Sequence, residues 1–74
     1  MIFKPGSIVK SNSDCLTVLL CSEKKVIINK NDICLVLETK QEKYNTELKL
    51  LTSNGFVGWF YSMFDASTWF MEIK

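Results

Sequence analysis

The chain of 74 residues has no histidine and no arginine, one proline and three glycines, and an odd number of cysteines. Without histidine it lacks the imidazole that most often serves as a general base near neutral pH and as a metal ligand. Without arginine it lacks the guanidinium that grips phosphate or carboxylate through two parallel hydrogen bonds. Its longest apolar run is far shorter than the roughly 20 residues that a membrane-spanning helix needs. These absences argue against imidazole catalysis, histidine-ligated metals and a membrane span.

The residues that are present point to one small folded domain covering 1–74. Hydrophobic residues make up 47% of the chain and charged residues 23%, with a formal net charge of +1. A chain this apolar and this evenly charged is not expected to be disordered. The same balance lacks the strongly basic character of a typical nucleic-acid-binding domain.

The sequence favours a cytoplasmic protein with reduced thiols. The start, Met1 to Gly6, has no apolar stretch of the kind that a secretion signal requires, because Lys, Pro and Gly follow after three residues. Cys15, Cys21 and Cys34 form an odd set with no close spacing, whereas a small secreted domain stapled by disulfides usually has an even number. We therefore expect three reduced, partly buried cysteines.

All nine basic residues are lysines, and asparagine and isoleucine are frequent. These three residue types have A/T-rich codons, so the composition indicates an A/T-rich genome such as many phages carry. We therefore hypothesise that the protein is phage-encoded.

Short alternating runs between polar breaks predict an all-β fold. The predicted strands cover 7–10, 15–21, 33–39, 47–52, 56–61 and 68–73, and the run at 26–28 fits a short strand or an extended loop. No segment keeps a helical period, so one 3₁₀ turn within 62–67 is the only helix expected. Five to six short antiparallel strands predict a small barrel, because closure removes the exposed edges of an open sheet.

Glycines mark two special places in the last third of the chain. Asn54-Gly55 suits a type I′ hairpin turn, since both residues tolerate a positive φ. Gly58, inside a predicted strand, indicates either a β-bulge or a close approach by another stretch of backbone.

Two stretches resemble small bacterial and phage SH3-like β-barrels. Phe3-Lys4-Pro5-Gly6-Ser7-Ile8-Val9-Lys10 resembles their opening strand, and residues 53–62 (SNGFVGWFYS) resemble a late hairpin that leads into a 3₁₀ turn and a final strand. Residues 31–38 fall where these barrels carry a polar-Asp-apolar strand entry. The order and spacing agree over roughly residues 3–73, and the resemblance implies an SH3-like barrel.

The chain departs from that family where ligands would be recognised. The Ala-Leu-Tyr-Asp-Tyr signature of eukaryotic members and the Asn-Val-Arg-Ser-Gly stretch of cell-wall-targeting relatives are both missing. Residues 62–71 are also longer and more aromatic than the usual return. The resemblance therefore leaves the ligand open, because such barrels bind proteins, peptides, nucleic acids or cell walls.

No arrangement in the sequence predicts an enzyme, a metal site or a cofactor. No serine or cysteine has an imidazole partner, and the acidic residues are scattered over strand ends and turns. Cys15 and Cys21 would lie about 20 Å apart along an extended strand, too far to share one zinc ion. We expect no catalytic residues, no metal and no cofactor.

Nucleic-acid binding is the alternative to protein binding. Residues 1–31 carry five lysines and two acids, a net charge of +3, whereas residues 32–74 have a net charge of −2. Lys24, Lys25 and Lys30 group around one loop, and exposed aromatics beside them could stack on bases. A solvated basic loop explains the same lysines without any nucleic acid.

Aromatic residues concentrate at the C-terminal end, where seven of the nine lie in the last 19 residues. A strand has two faces and only one can point into a core, yet both faces of 56–61 and 68–73 carry bulky apolar groups. We therefore predict a protein-interaction module that binds itself, as a homo-oligomer, or a host or virion protein, with no membrane partner. The predicted interface residues are Tyr44, Trp59, Phe60, Tyr61, Trp69 and Phe70. Because Trp59 and Phe60 face opposite ways, as do Trp69 and Phe70, we expect one ring of each pair to point outward, unless a bulge at Gly58 turns both inward.

Overall fold

The computed structural model describes residues 3–63 and 65–73, which form a single antiparallel sheet curled into a half-barrel. Its strands are β1 (Ile8–Ser11), β2 (Leu16–Leu20), β3 (Lys25–Ile28), β4 (Ile33–Gln41), β5 (Thr46–Thr52), β6 (Val57–Ser62) and β7 (Phe70–Glu72), with a 3₁₀ turn at Ala66–Thr68. The all-β prediction is confirmed. The described residues contain seven strands rather than five or six, because the β-branched run at 26–28 pairs with β2 instead of forming a loop.

The strands follow one another in the order β3-β2-β6-β5-β4-β1-β7. Hairpins join β2 to β3, β4 to β5 and β5 to β6, so three of the six neighbouring strand pairs in the sheet are also neighbours in sequence. β1 has no local partner and lies between β4 and β7. Within the described part of the chain, β3 and β7 therefore form the two edges of the sheet.

The core lies on the concave side of the sheet and follows from strict alternation along the strands. In β5 the side chains of Thr46, Leu48, Leu50 and Thr52 point inward and are buried, while those between them are half-exposed. The other buried apolar side chains belong to Phe3, Val9, Leu16, Val18, Ile28, Cys34, Val36, Phe60, Ala66 and Phe70. Each large one contributes roughly 1.5–3 kcal/mol through removal from water.

Two local irregularities shape the sheet. β4 shifts register against β5 between Val36 and Glu38, a bulge that bends a strand and sharpens its twist. The β5–β6 hairpin is not the predicted type I′ turn, because Gly55 has a positive φ of 87° while Asn54 does not. Thr52 O instead accepts from Gly55 N, and Thr52 N donates to Phe56 O, as in a three-residue loop that ends on a left-handed glycine.

The 3₁₀ turn directs the chain from β6 back towards β1. Asp65 caps it, since its Oδ1 accepts a hydrogen bond of 2.9 Å from Ser67 N. Phe70 then enters the core, where its ring meets that of Phe60 edge-on at 5.1 Å between centroids. Among the described residues no helix is long and apolar enough to cross a membrane, and Phe64, one of the clustered aromatics in the sequence, lies outside them.

Candidate functional site

Gly58 sets how β2 and β6 meet. These two strands pair at Leu19↔Trp59 and Leu20↔Gly58, and their ladder goes no further within the described residues. A Cβ atom on Gly58 would lie 2.6 Å from Leu19 O and 2.7 Å from Val18 Cγ1. Of the two roles predicted for this glycine, close approach of backbone is the one observed, and the bulge lies in β4.

Beyond these two residue pairs, β2 and β6 separate and leave a notch in the sheet. We define the notch as the cleft between residues 15–17 and residues 60–63, closed on one side by Trp69, and its volume is about 350 Å³. It forms because the start of β2 and the end of β6 do not pair, although in register Thr17 would face Tyr61. A cleft of this size lies at the lower end of ligand-binding pockets.

The main chain on both sides of the notch is oriented to pair with another strand. Leu20 N donates to Lys24 O, so the main-chain groups of Leu20 point towards β3. Successive residues of a strand direct these groups to opposite sides, and Thr17 lies three residues away. Thr17 therefore directs its N–H and C=O away from β3. Phe56 O accepts from Thr52 N on the β5 side, so Tyr61 directs its main-chain groups away from β5. The notch is therefore bordered by strand edges of two facing segments.

The floor and one wall of the notch are apolar. Leu16 and Phe60 are buried at its base, and Trp69 packs against the core from the side. The indole of Trp69 is held in place because its Nε1–H donates to Ser62 Oγ at 2.9 Å. This hydrogen bond satisfies the polar end of a ring whose body is half-buried, and it stabilises the orientation of the indole that forms the wall.

The rim of the notch carries exposed side chains. Met63 is 70% exposed and Tyr61 is 55% exposed. The Tyr61 hydroxyl accepts a hydrogen bond of 3.2 Å from Asn45 Nδ2, which links the rim to the β4–β5 loop. On the opposite side Cys15 is exposed and has a positive φ of 62°. None of the lining side chains is an ammonium or a carboxylate, so the notch is suited to an uncharged ligand.

The predicted interface residues divide among four places: the notch, the core, the outer face of β6 and the β4–β5 loop. Phe60, Tyr61 and Trp69 meet in the notch, although Phe60 contributes only to its buried floor. Phe70 is wholly buried in the core, so its prediction as a surface residue is corrected: the edge-on contact with Phe60 fills the barrel instead. Phe60 also faces the core, so in each of the pairs Trp59/Phe60 and Trp69/Phe70 one ring is buried and the other is half-exposed.

Trp59 and Tyr44 lie outside the notch. Trp59 is half-buried on the outer face of β6, with Lys40 Nζ 4.7 Å and Lys49 Nζ 6.0 Å from its ring centroid. Tyr44 is exposed at the tip of the β4–β5 loop, where Lys43 Nζ lies 5.3 Å from its ring. The indole face of Trp59 is thus already covered by lysine, a favourable cation–π arrangement that leaves less ring surface for a partner.

The three lysines of the nucleic-acid alternative do not form one cluster. Lys24 and Lys25 lie at the start of β3, whereas Lys30 lies in the turn beyond its end. At the usual strand rise the two ends of β3, Lys25 and Ile28, are about 10 Å apart, and Lys30 lies beyond the far end. Lys30 N also donates to Asp14 Oδ1, which places an acid beside that lysine. Lys25 on an edge strand has the further effect of discouraging unwanted strand pairing.

The described cysteines are all free, and they differ in exposure. Cys15 and Cys21 are exposed and Cys34 is buried. Burial, with a smaller effect from the charge of Asp32, raises the pKa of the Cys34 thiol from 9.0 to about 11. That thiol is therefore protonated and unreactive near neutral pH. In the described segments no three Cys, Asp or Glu side chains come together as metal ligands would.

Five lining residues were not predicted from the sequence: Cys15, Leu16, Thr17, Ser62 and Met63. These residues reach the notch because β2 lies beside β6 in the sheet. Gly58 indicated from the sequence that another stretch of backbone could approach β6 closely, but it did not indicate which stretch. Comparison with protein-family models, curated proteins and solved structures gives no match. The functional conclusion therefore comes from the notch itself.

Proposed function

We propose that this protein is a non-enzymatic protein-interaction module with an SH3-like barrel architecture, and that the notch binds an extended segment of a partner protein. The resemblance at residues 3–10 and 53–62 supports the architecture. So does the chain path at the end, where a 3₁₀ turn leads into a last strand that pairs with the first.

The observation that carries the proposal is the combination of strand edges and an apolar floor in one cleft. An added strand gains main-chain hydrogen bonds from an edge and specificity from pockets for alternate side chains. Here Thr17 and Tyr61 supply the edges, and the 350 Å³ cleft above Leu16 and Phe60 has room for one large apolar side chain. A leucine, methionine or aromatic residue of the partner would fill it, flanked by residues that pair with the edge.

The thiol chemistry supports a cytoplasmic setting for this binding. Two of the three cysteines are exposed and free, a state that a reducing compartment maintains. A phage-encoded origin remains a hypothesis from the lysine, asparagine and isoleucine bias. It suggests host or virion proteins as partners.

Nucleic acid is the competing ligand, and Trp59 is the observation in its favour. The ring has Lys40 and Lys49 beside it on the outer face, which is the pairing of aromatic and cation found in single-strand binders. However, in the sheet register Glu47 lies opposite Lys40 and Glu38 lies opposite Lys49. Those carboxylates offset the positive charge, so protein binding is the better supported function.

The test is selection of displayed peptides on the immobilised protein, followed by affinity measurement with synthetic versions of the enriched peptides. We expect enriched peptides to share one large apolar residue in an extended, β-prone context. Met63→Lys should weaken their binding at least tenfold, because it places a charge on the rim of an uncharged cleft. Met71→Lys is the matched control, since Met71 is also exposed but does not line the notch.

Equal loss of affinity in both variants, or no enrichment at all, would contradict the notch as the binding site. A salt titration with a mixed single-stranded oligonucleotide tests the competing function. Binding to phosphates weakens steeply and linearly in log–log form as salt rises. Tight, salt-sensitive oligonucleotide binding that Lys40→Glu abolishes would transfer the function to the Trp59 face.

A further inference from the structure

A second feature of the surface is an uncharged row of side chains on the convex face of the sheet, remote in the register from the notch. Ile8 lies opposite Leu35, Leu35 opposite Leu51, and Leu51 opposite Val57. Ile73 continues the row on the β7 side, because its N–H donates to Ile8 O at 2.8 Å. We call these five residues, together with the adjoining Ile33, the apolar row.

The neighbouring rows of residues on the same face contain charged side chains. In the next row of outward-facing residues along β4, β5 and β6, Glu38 lies opposite Lys49, and Lys49 lies opposite Trp59. In the row after that, Lys40 lies opposite Glu47 and Glu47 opposite Tyr61. Charges alternate in those rows, whereas the apolar row itself has none, and on its other side Lys10 lies opposite Ile33. A contiguous apolar patch framed by polar residues is the usual mark of a protein contact.

The exposed area of the row can be compared with the area that small specific interfaces bury. Ile8, Ile33, Val57 and Ile73 are between 38% and 48% exposed, and Leu35 and Leu51 are half-buried. Together they present roughly 400 Å² of apolar surface, taking on the order of 150–200 Å² for a fully exposed large side chain. Two such surfaces in full contact bury about 800 Å² of apolar area, and a polar rim brings the total close to the roughly 1,000 Å² at which specific interfaces begin.

The chemistry of the row selects its occupant. It offers no charged group and no side-chain hydrogen bond, so it suits a surface as uncharged and aliphatic as itself. A depression of about 270 Å³ between Ile8, Ile33, Leu35 and Leu51 can take an aliphatic side chain from the facing surface. The net charge of +1 adds almost no repulsion between copies.

From this geometry we propose that the apolar row is a self-association surface that joins two copies of this chain about a two-fold axis. In an isologous contact the same patch of both copies meets. An aliphatic side chain of the row on one copy can therefore enter the depression in the row of the other. An interface this small is expected to associate weakly and reversibly. This dimer leaves both notches open.

Sedimentation velocity of the full chain between about 5 µM and about 1 mM tests the proposal over the affinities of small interfaces. The mass should rise from 8.5 kDa towards twice that value with increasing concentration. Ile8→Lys should weaken the association at least tenfold. Leu19→Lys is the matched control, because Leu19 is 47% exposed against 48% for Ile8 and lies on the outer face of β2, outside the row.

A wild-type chain that stays at 8.5 kDa over the whole range would refute the dimer. So would equal weakening by both variants. Concentration-dependent amide shifts of the wild-type chain provide a check that needs no variant to fold: they should concentrate at Ile8, Leu35, Leu51 and Val57. Shifts confined to the notch instead would assign self-association to the other surface and overturn the proposal.

Discussion

Replacing Gly58 by alanine tests whether the crossing of β2 and β6 organises this half of the barrel. The added Cβ would lie 2.6 Å from Leu19 O, 2.7 Å from Val18 Cγ1 and 2.9 Å from Leu20 Cδ2. Relief requires β2 to move away by about half an ångström, and backbone cannot swing aside as a flexible side chain can. The movement strains both register pairs that join these strands.

The cost follows from these contacts. Overpacking of a tight site destabilises by about 1–3 kcal/mol, and weakening one ladder hydrogen bond adds about 1 kcal/mol. The lower entropy of the unfolded alanine chain offsets about 0.4–1 kcal/mol. We expect Gly58→Ala to lower the free energy of unfolding by about 2 kcal/mol, a large share of the roughly 4–11 kcal/mol typical for a chain of this length.

Urea unfolding followed by fluorescence of the two tryptophans measures the loss. The midpoint should fall by about 1–2 M, given the urea dependence usual for small domains. Gly55→Ala is the control, because its Cβ would meet nothing within 4 Å and only its φ of 87° is strained. It should cost about 1 kcal/mol. A Gly58→Ala protein within 0.5 kcal/mol of the wild type would refute the steric argument, taking about 0.5 kcal/mol as the range of neutral substitutions.

Three further predictions concern the buried part of the chain. Ellman's reagent should react with Cys15 and Cys21 in the folded protein but with Cys34 only after unfolding, and rapid reaction of all three would contradict its burial. Because the pKa of Cys34 is raised from 9.0 to about 11, its contribution to stability is complete below pH 9 and is lost as the pH rises to 11. Cys34→Ala should flatten that decline in urea midpoints, and an unchanged pH profile would exclude this thiol as its cause. Leu48→Ala removes a fully buried side chain and should cost about 2–5 kcal/mol in the same assay, so a loss below about 1 kcal/mol would contradict the packing described.

The parts of the fold that could be predicted are those where one face of a strand is polar. In β5, Glu47 and Lys49 alternate with Leu48 and Leu50, so the inward face was clear from the sequence and is confirmed. Where both faces are apolar, as at Trp59 and Phe60, alternation requires opposite sides but does not choose between them. The structure buries Phe60 and leaves Trp59 half-exposed under lysine side chains.

The rest depends on contacts between residues distant in sequence. The strand at Lys25–Ile28 was ambiguous because four residues carry too little pattern, and pairing with β2 decided it. The Asn54-Gly55 pair permits several hairpin loops, and the register of β5 and β6 selected the three-residue one. The notch is of the same kind, since nothing near Tyr61 in the sequence announces that Thr17 will face it.

The position of β1 between β4 and β7 has a consequence for how the chain folds. Val9 pairs with Cys34 on one side and with Glu72 on the other. The strand partners of β1 are therefore about 25 and about 63 residues away in sequence. Closing the longer loop costs about 2 kcal/mol more in chain entropy than closing a five-residue hairpin. The three hairpins can therefore form early, and the β1–β7 seam is added last. Substitutions along that seam should accelerate unfolding while leaving the refolding rate nearly unchanged.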